Sequence, residues 1–245
     1  MKNLNLLILL IFPILLNAQS LIIENAENFE NGTVLTFQKC EPDNVSPQEK
    51  GENITWDFTK LIDKNDETIT EEVVTPKETD YYDTFPNADL VEKYSDGRLV
   101  YFTKSKDENS LVGFVNPNSG MTMHYEEPML FMKRPIKFGD SISDNYSTKY
   151  TVSNMDFKGK GNVSIIADGY GTLKLPNNKV YENVLRVKIT QNQTDEMVQY
   201  PNKIEMTTTT YVWFRPENAS ALLKINKIES QYYNNKTVEY LLSEE

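Results

Sequence analysis

The sequence predicts an all-β domain, with α+β as the alternative, laid out as an antiparallel sheet of hairpins in a sandwich or an open half-barrel. Three observations carry this. Period-two alternation recurs from residue 99 to the C-terminus, clusters of turn formers separate the alternating runs, and no long stretch has the 3.6-residue apolar period of an amphipathic helix.

The N-terminal part is the least regular. Residues 33–39 and 68–74 have strand composition, residues 41–52 are polar and carry Pro42 and Pro47, residues 60–67 read as a charged loop, and residues 81–90 have room for one short helix after Pro86. From residue 99 the pattern sharpens. Leu99 and Tyr101 point one way and Val100 and Phe102 the other, as in a strand covered on both faces. Residues 111–115 and 121–125 flank Asn116-Pro117-Asn118-Ser119-Gly120 and form a hairpin, with Met121, Met123 and Tyr125 on one face and Thr122 and His124 on the other. Later strands are expected at residues 163–167, 172–175, 206–214, 222–228 and 238–242, the last two joined through Asn234-Asn235-Lys236.

Residues 168–189, DGYGTLKLPNNKVYENVLRVKI, are the most distinctive run. A dinucleotide loop needs G-x-G-x-x-G between a strand and a helix. Here Lys174 occupies the third glycine position and a strand follows, so Gly169 and Gly171 mark a bulge or bend where the backbone passes close to another segment. Pro176-Asn177-Asn178 turns the chain. The return strand puts Leu185, Val187 and Ile189 inward and Arg186 and Lys188 on the opposite, solvated face, with Asp168 and Arg186 placed to pair across the hairpin.

Acid–base and nucleophilic chemistry lean on histidine, and His124 is the one histidine, set on the polar face of a strand with no G-x-S-x-G elbow in the chain. Zinc is no better served. There is no H-E-x-x-H and no paired-cysteine spacing, and Cys40 reads as a small buried hydrophobe. Asp63, Asn65 and Glu67 begin like a calcium loop, but the EF-hand glycine is missing and Val74 stands where the closing glutamate belongs, so a solvated acidic turn is expected. No catalytic residue, metal ligand or cofactor is assigned. The candidate binding residues are Tyr170, Tyr181, Tyr211 and Trp213, whose rings join apolar area to a polar tip, while core packing is the commoner role of aromatics on strands.

Residues 1–18 have a charged start, an apolar run at 4–16 and a small residue before the expected cut after Ala18, the pattern of a secretory signal peptide. That run is too short for a membrane span. No cysteine follows the cut to carry a lipid, so residues 19–245 are expected as one soluble, exported, β-rich domain with no membrane span. One cysteine makes no intrachain disulfide, and stability must come from a core. The net charge of −11 and pI near 4.8 argue against a nucleic-acid partner.

The segments GENITWDFTKL (residues 51–61), FPNADL (85–90), PIKFGDS (135–141), DGYGTLKLP (168–176), YENVLRVK (181–188) and YVW (211–213) resemble an uncharacterised family of exported β-rich proteins from Bacteroidota-type bacteria. DGYGTL and NVLRVK are the most specific phrases. The resemblance implies the passenger portion of type IX secretion cargo, which is followed by a sorting domain. This sequence ends directly after its last expected strand, so periplasmic residence is expected beside secretion. No activity is carried over. The functional expectation is a non-catalytic binding or interaction role in the cell envelope, toward a protein or a glycan. A carbohydrate-active hydrolase using a carboxylate pair and a structural envelope component are the alternatives.

Overall fold

A computed structural model describes residues 21–24, 30–200, 202–215, 217 and 220–245; the signal peptide expected at residues 1–18 lies outside the described residues. Alternating apolar side chains need a sheet with one face in a core, and this chain supplies enough strands to wrap that sheet around the core. The strands are β1 (Ile22–Ile23), β2 (Val34–Cys40), β3 (Gly51–Asp57), β4 (Asp63–Val74), β5 (Leu90–Tyr94), β6 (Leu99–Lys104), β7 (Glu108–Asn116) and β8 (Met121–Lys133). They continue as β9 (Ile136–Lys137), β10 (Ser141–Val152), β11 (Met155–Leu175), β12 (Lys179–Met197), β13 (Lys203–Arg215), β14 (Ser220–Ser230) and β15 (Asn234–Glu244).

The main sheet runs β10-β8-β7-β6-β5-β4-β2-β15-β14-β13-β12-β11, and β11 pairs back with β10, so 12 antiparallel strands form a closed, barrel-like ring. The all-β class and the hairpins agree with the sequence. In place of the sandwich or open half-barrel, the sheet closes. Closure rests on the 21 residues of β11. Its first part pairs with β10 from Met155↔Val152 to Ile166↔Ser141, and nearly its whole length pairs with β12. Closure joins the two outer strands of the ring over the length of β10 and so removes most of the open edge, the general hazard of a sheet.

Beyond Ile166, β11 outruns β10, and β3 covers the exposed edge as the one parallel partner, from Gly169↔Gly51 to Lys174↔Asp57. The glycine run sits at this junction. Register shifts at Ala167/Gly169 and Gly171/Leu173 are the expected bulges, and a Cβ on Gly171 would overlap the backbone oxygen of Ile54. The turn that follows has Asn177 and Asn178 both at φ 58°, which Asn tolerates and which suits a two-residue hairpin.

Two irregular segments pad the outside of the ring. Residues 41–58 bring Trp56 and Phe58 onto β13, where both rings meet Trp213 edge-on at 5.9 and 5.3 Å. Residues 75–89 bring Phe85 onto Tyr101, stacked at 4.3 Å, within a small separate core that includes Val74, Val91, Leu99 and Val115. Three sequence expectations change here. The helix after Pro86 is replaced by a single 3-10 turn before it (Tyr82–Thr84), because Leu90–Tyr94 is drawn into the ladder between β4 and β6. The charged loop expected at residues 60–67 is entered by β4 at Asp63, paired with Cys40, but residues 64–67 bulge from the ladder before it resumes at Gln38↔Thr68, with Asn65 and Asp66 at φ 45° and 57°, so the acidic turn is present within the strand. Residues 51–57 form a strand despite weak alternation, because β11 offers them an edge.

Candidate functional site

Of the four predicted binding aromatics, the structure brings Tyr211 and Trp213 together, ring centres 6.5 Å apart, and gives Tyr170 and Tyr181 separate partners. Arg186, expected on a solvated face, is 1% exposed. Its Nε donates to Asp168 Oδ1 at 2.7 Å, Nη2 to Asp168 Oδ2 at 3.2 Å and Nη1 to the Pro47 carbonyl at 2.5 Å. The guanidinium lies 5.4, 5.5 and 5.6 Å from the ring centres of Trp56, Tyr211 and Trp213. The faces of Tyr211 and Trp213 are therefore taken up by this chain's own cation, under the cover of residues 41–58. Tyr170 packs edge-on against Phe138 at 5.2 Å and donates to Glu52 at 3.2 Å, while Tyr181 has Arg215 over its ring at 5.5 Å. The Tyr170–Glu52 bond fastens β3 to the ring, and the Tyr181–Arg215 contact joins β12 to β13. The predicted pairing of Asp168 with Arg186 is present, as a buried bidentate ion pair.

A concave feature lies instead in the lumen. A cavity of about 980 Å³ is lined from opposite walls of the ring, at the upper end of the range for small-molecule sites. Strand direction orders its lining. One end is bounded by Glu41, Asp43, Lys64, Tyr233 and Lys236, near the exit of β2 and the β14–β15 turn. The opposite end is apolar, with Leu35, Val73, Met129, Met132, Phe214 and Ala221.

Between mouth and floor lies a belt of charge. Lys224 reaches both carboxylate oxygens of Glu71 at 2.5 Å and approaches Glu239 at 3.9 Å, with its ammonium 4.0 Å from the centre of the Phe37 ring. Tyr94 donates to Glu92 at 3.0 Å, and Arg98 holds Asp96 at 2.9 Å. Burial, reinforced by the Glu71 carboxylate, pushes Glu92 up from 4.5 to about 7, against the pull of Lys224, the Tyr94 hydroxyl and Arg98. Burial also raises Glu239. For Lys224, burial pulls the pKa down, but Glu71 and Glu239 more than offset it and the ammonium is held charged.

The other chemically suggestive side chains are quiet. Cys40 is buried and its thiol is pushed up to about 12 by burial, then by Asp63 and Glu239, so it stays protonated at neutral pH. His124 lies exposed on the outside of β8, tilted against Phe85 at 4.8 Å. Among the described residues no three His, Cys, Asp or Glu side chains converge to hold a metal ion, and no helix is long and apolar enough to cross a membrane.

Sequence reasoning missed the belt. The signal was there in weak form: Glu71 stands between Ile69 and Val73, and Lys224 two residues after Leu222, so each is a charge at an inward position of a strand. Comparison of this chain with protein-family models, with curated proteins and with solved structures finds no match.

Proposed function

We propose that this is an exported, soluble cell-envelope protein that binds an amphiphilic small molecule inside its barrel without transforming it. The observation that carries this reading is the lumen of about 980 Å³, with a polar mouth, a charged belt and an apolar floor. A molecule with a polar head and a hydrocarbon body matches that order of surfaces from one end to the other. The leader-like residues 1–18, the net charge of −11 and the resemblance to exported Bacteroidota-type proteins support the location, periplasmic or secreted.

The test is titration of the purified mature protein with N-phenyl-1-naphthylamine, a dye that brightens in apolar surroundings. Saturable binding of one dye, lost when Ala221→Phe fills the floor while the melting transition is retained, is the expected result. A lumen that takes up no dye overturns the reading. Cell fractionation tests the location.

One observation favours a second reading, a hydrolase acting through carboxylates. Glu92, which burial pushes up to about 7, shares the lumen with Glu71, and two carboxyl groups in one cleft, one of them held toward its acid form, are what glycosidases use. Release of reducing ends from a polysaccharide panel, abolished by Glu92→Gln, would establish that reading in place of the first.

A further inference from the structure

The charge count of the lumen specifies the head group, given the amphiphile-binding reading on which this step rests. At the mouth, Glu41 and Asp43 are matched by Lys64 and Lys236. Asp96 and Arg98, each 38% exposed, pair with each other at the β5–β6 turn, and deeper the carboxylates of Glu71, Glu92 and Glu239 face only the cations of Lys39 and Lys224. The belt is one positive charge short. Lys39 is also shared with Glu67 at 4.0 Å, and Arg98 is committed to Asp96, which leaves Lys224 as the close partner of the inner carboxylates. Tyr94 adds a ring and a hydroxyl at the same level but no charge, since burial holds it protonated. Cys40, which also lines the cavity, carries none either.

An uncompensated carboxylate in a part-buried site takes up whichever cation reaches it. A proton is one. We propose that the ligand of the lumen is a monovalent cationic amphiphile, whose ammonium group sits in the belt beside Glu92 and Tyr94 and whose hydrocarbon tail runs to Met129, Met132 and Phe214. The carboxylates do not converge as a metal site does, whereas a diffuse organic ammonium needs only a surplus of negative charge and an aromatic face. The head group displaces a proton from Glu92, so binding and proton release are linked. Affinity is greatest above pH 7 and falls as Glu92 protonates below it.

The experiment is calorimetric titration of the mature protein with three probes of equal tail length, each below its micelle concentration: dodecyltrimethylammonium, dodecyl maltoside and dodecyl sulfate. Dodecyltrimethylammonium is expected to bind at least about 10-fold more tightly than the other two at pH 8. At pH 6, comparison across buffers of different ionisation enthalpy should show close to one proton released on binding. Glu92→Gln, nearly the same shape, should erase most of the preference and the proton release. Equal binding of all three probes, or an unaltered preference in Glu92→Gln, overturns the cationic head group and leaves the amphiphile lumen standing. Failure of all three to bind overturns both.

Discussion

At the scale of single residues, the fold depends on a few positions where no alternative side chain fits. Gly171 is one, because a Cβ there meets the backbone of Ile54 rather than a movable side chain. Gly171→Ala is expected to cost about 1–3 kcal/mol, and more for Val, measured by chemical denaturation. An unchanged midpoint would show that β3 has slack. Arg186 is another. Replacing it with Met leaves the Asp168 carboxylate and the Pro47 carbonyl without their donor, in a site where the side chains are 2% and 11% exposed. A loss of about 3–5 kcal/mol is expected, with strong coupling between Arg186→Met and Asp168→Asn in a double-mutant cycle. Additive effects would mean the pair is replaceable.

At the scale of elements, the two outer segments are fastened differently. Residues 41–58 are tied by a strand pairing, a buried ion pair and a cluster of aromatic rings. Residues 75–89 rest on Phe85, the Tyr101 ring and the hydrogen bond between the Thr79 and Tyr101 hydroxyls at 2.7 Å. The missing side chain at Gly113 is what lets Phe85 approach β7, since a Cβ there would overlap the Phe85 ring. Phe85→Ala is therefore expected to cost about 3–5 kcal/mol and to speed amide exchange across residues 79–88 before the ring itself opens. Exchange that rises equally in β11 and β12 would show that this segment and the ring unfold as one.

At the scale of the whole molecule, the belt ties stability to pH. Glu92 has its folded pKa raised from 4.5 to about 7, so between those values the folded state holds more protons than the unfolded one, and stability falls as pH rises through that window. Glu239 is shifted the same way. The protein is expected to be more stable at pH 5 than at pH 8, by at most about 3 kcal/mol, with Glu92→Gln flattening the dependence. Urea midpoints at both pH values decide it. Stability rising across that interval would show that Glu92 is ionised at little cost.

The sequence by itself determined what is local. Alternation and turn formers placed most strands from residue 99 onward, the Pro176-Asn177-Asn178 turn among them, because a strand's two faces and a hairpin's turn are written within a dozen neighbouring residues. Even the Asp168–Arg186 pair was readable, since the two residues face each other across one hairpin. Only the tertiary structure decided which charged side chains face the interior. Closure of the ring turns the Glu71, Glu92, Lys224 and Glu239 side chains toward a shared space, and the Glu71–Lys224 contact joins residues 153 apart in sequence. It also lets residues 41–58 cover Arg186, which alternation alone placed on an open face, together with Tyr211 and Trp213. Charge at an inward position looks like ordinary surface charge until the distant strand that supplies its partner is known.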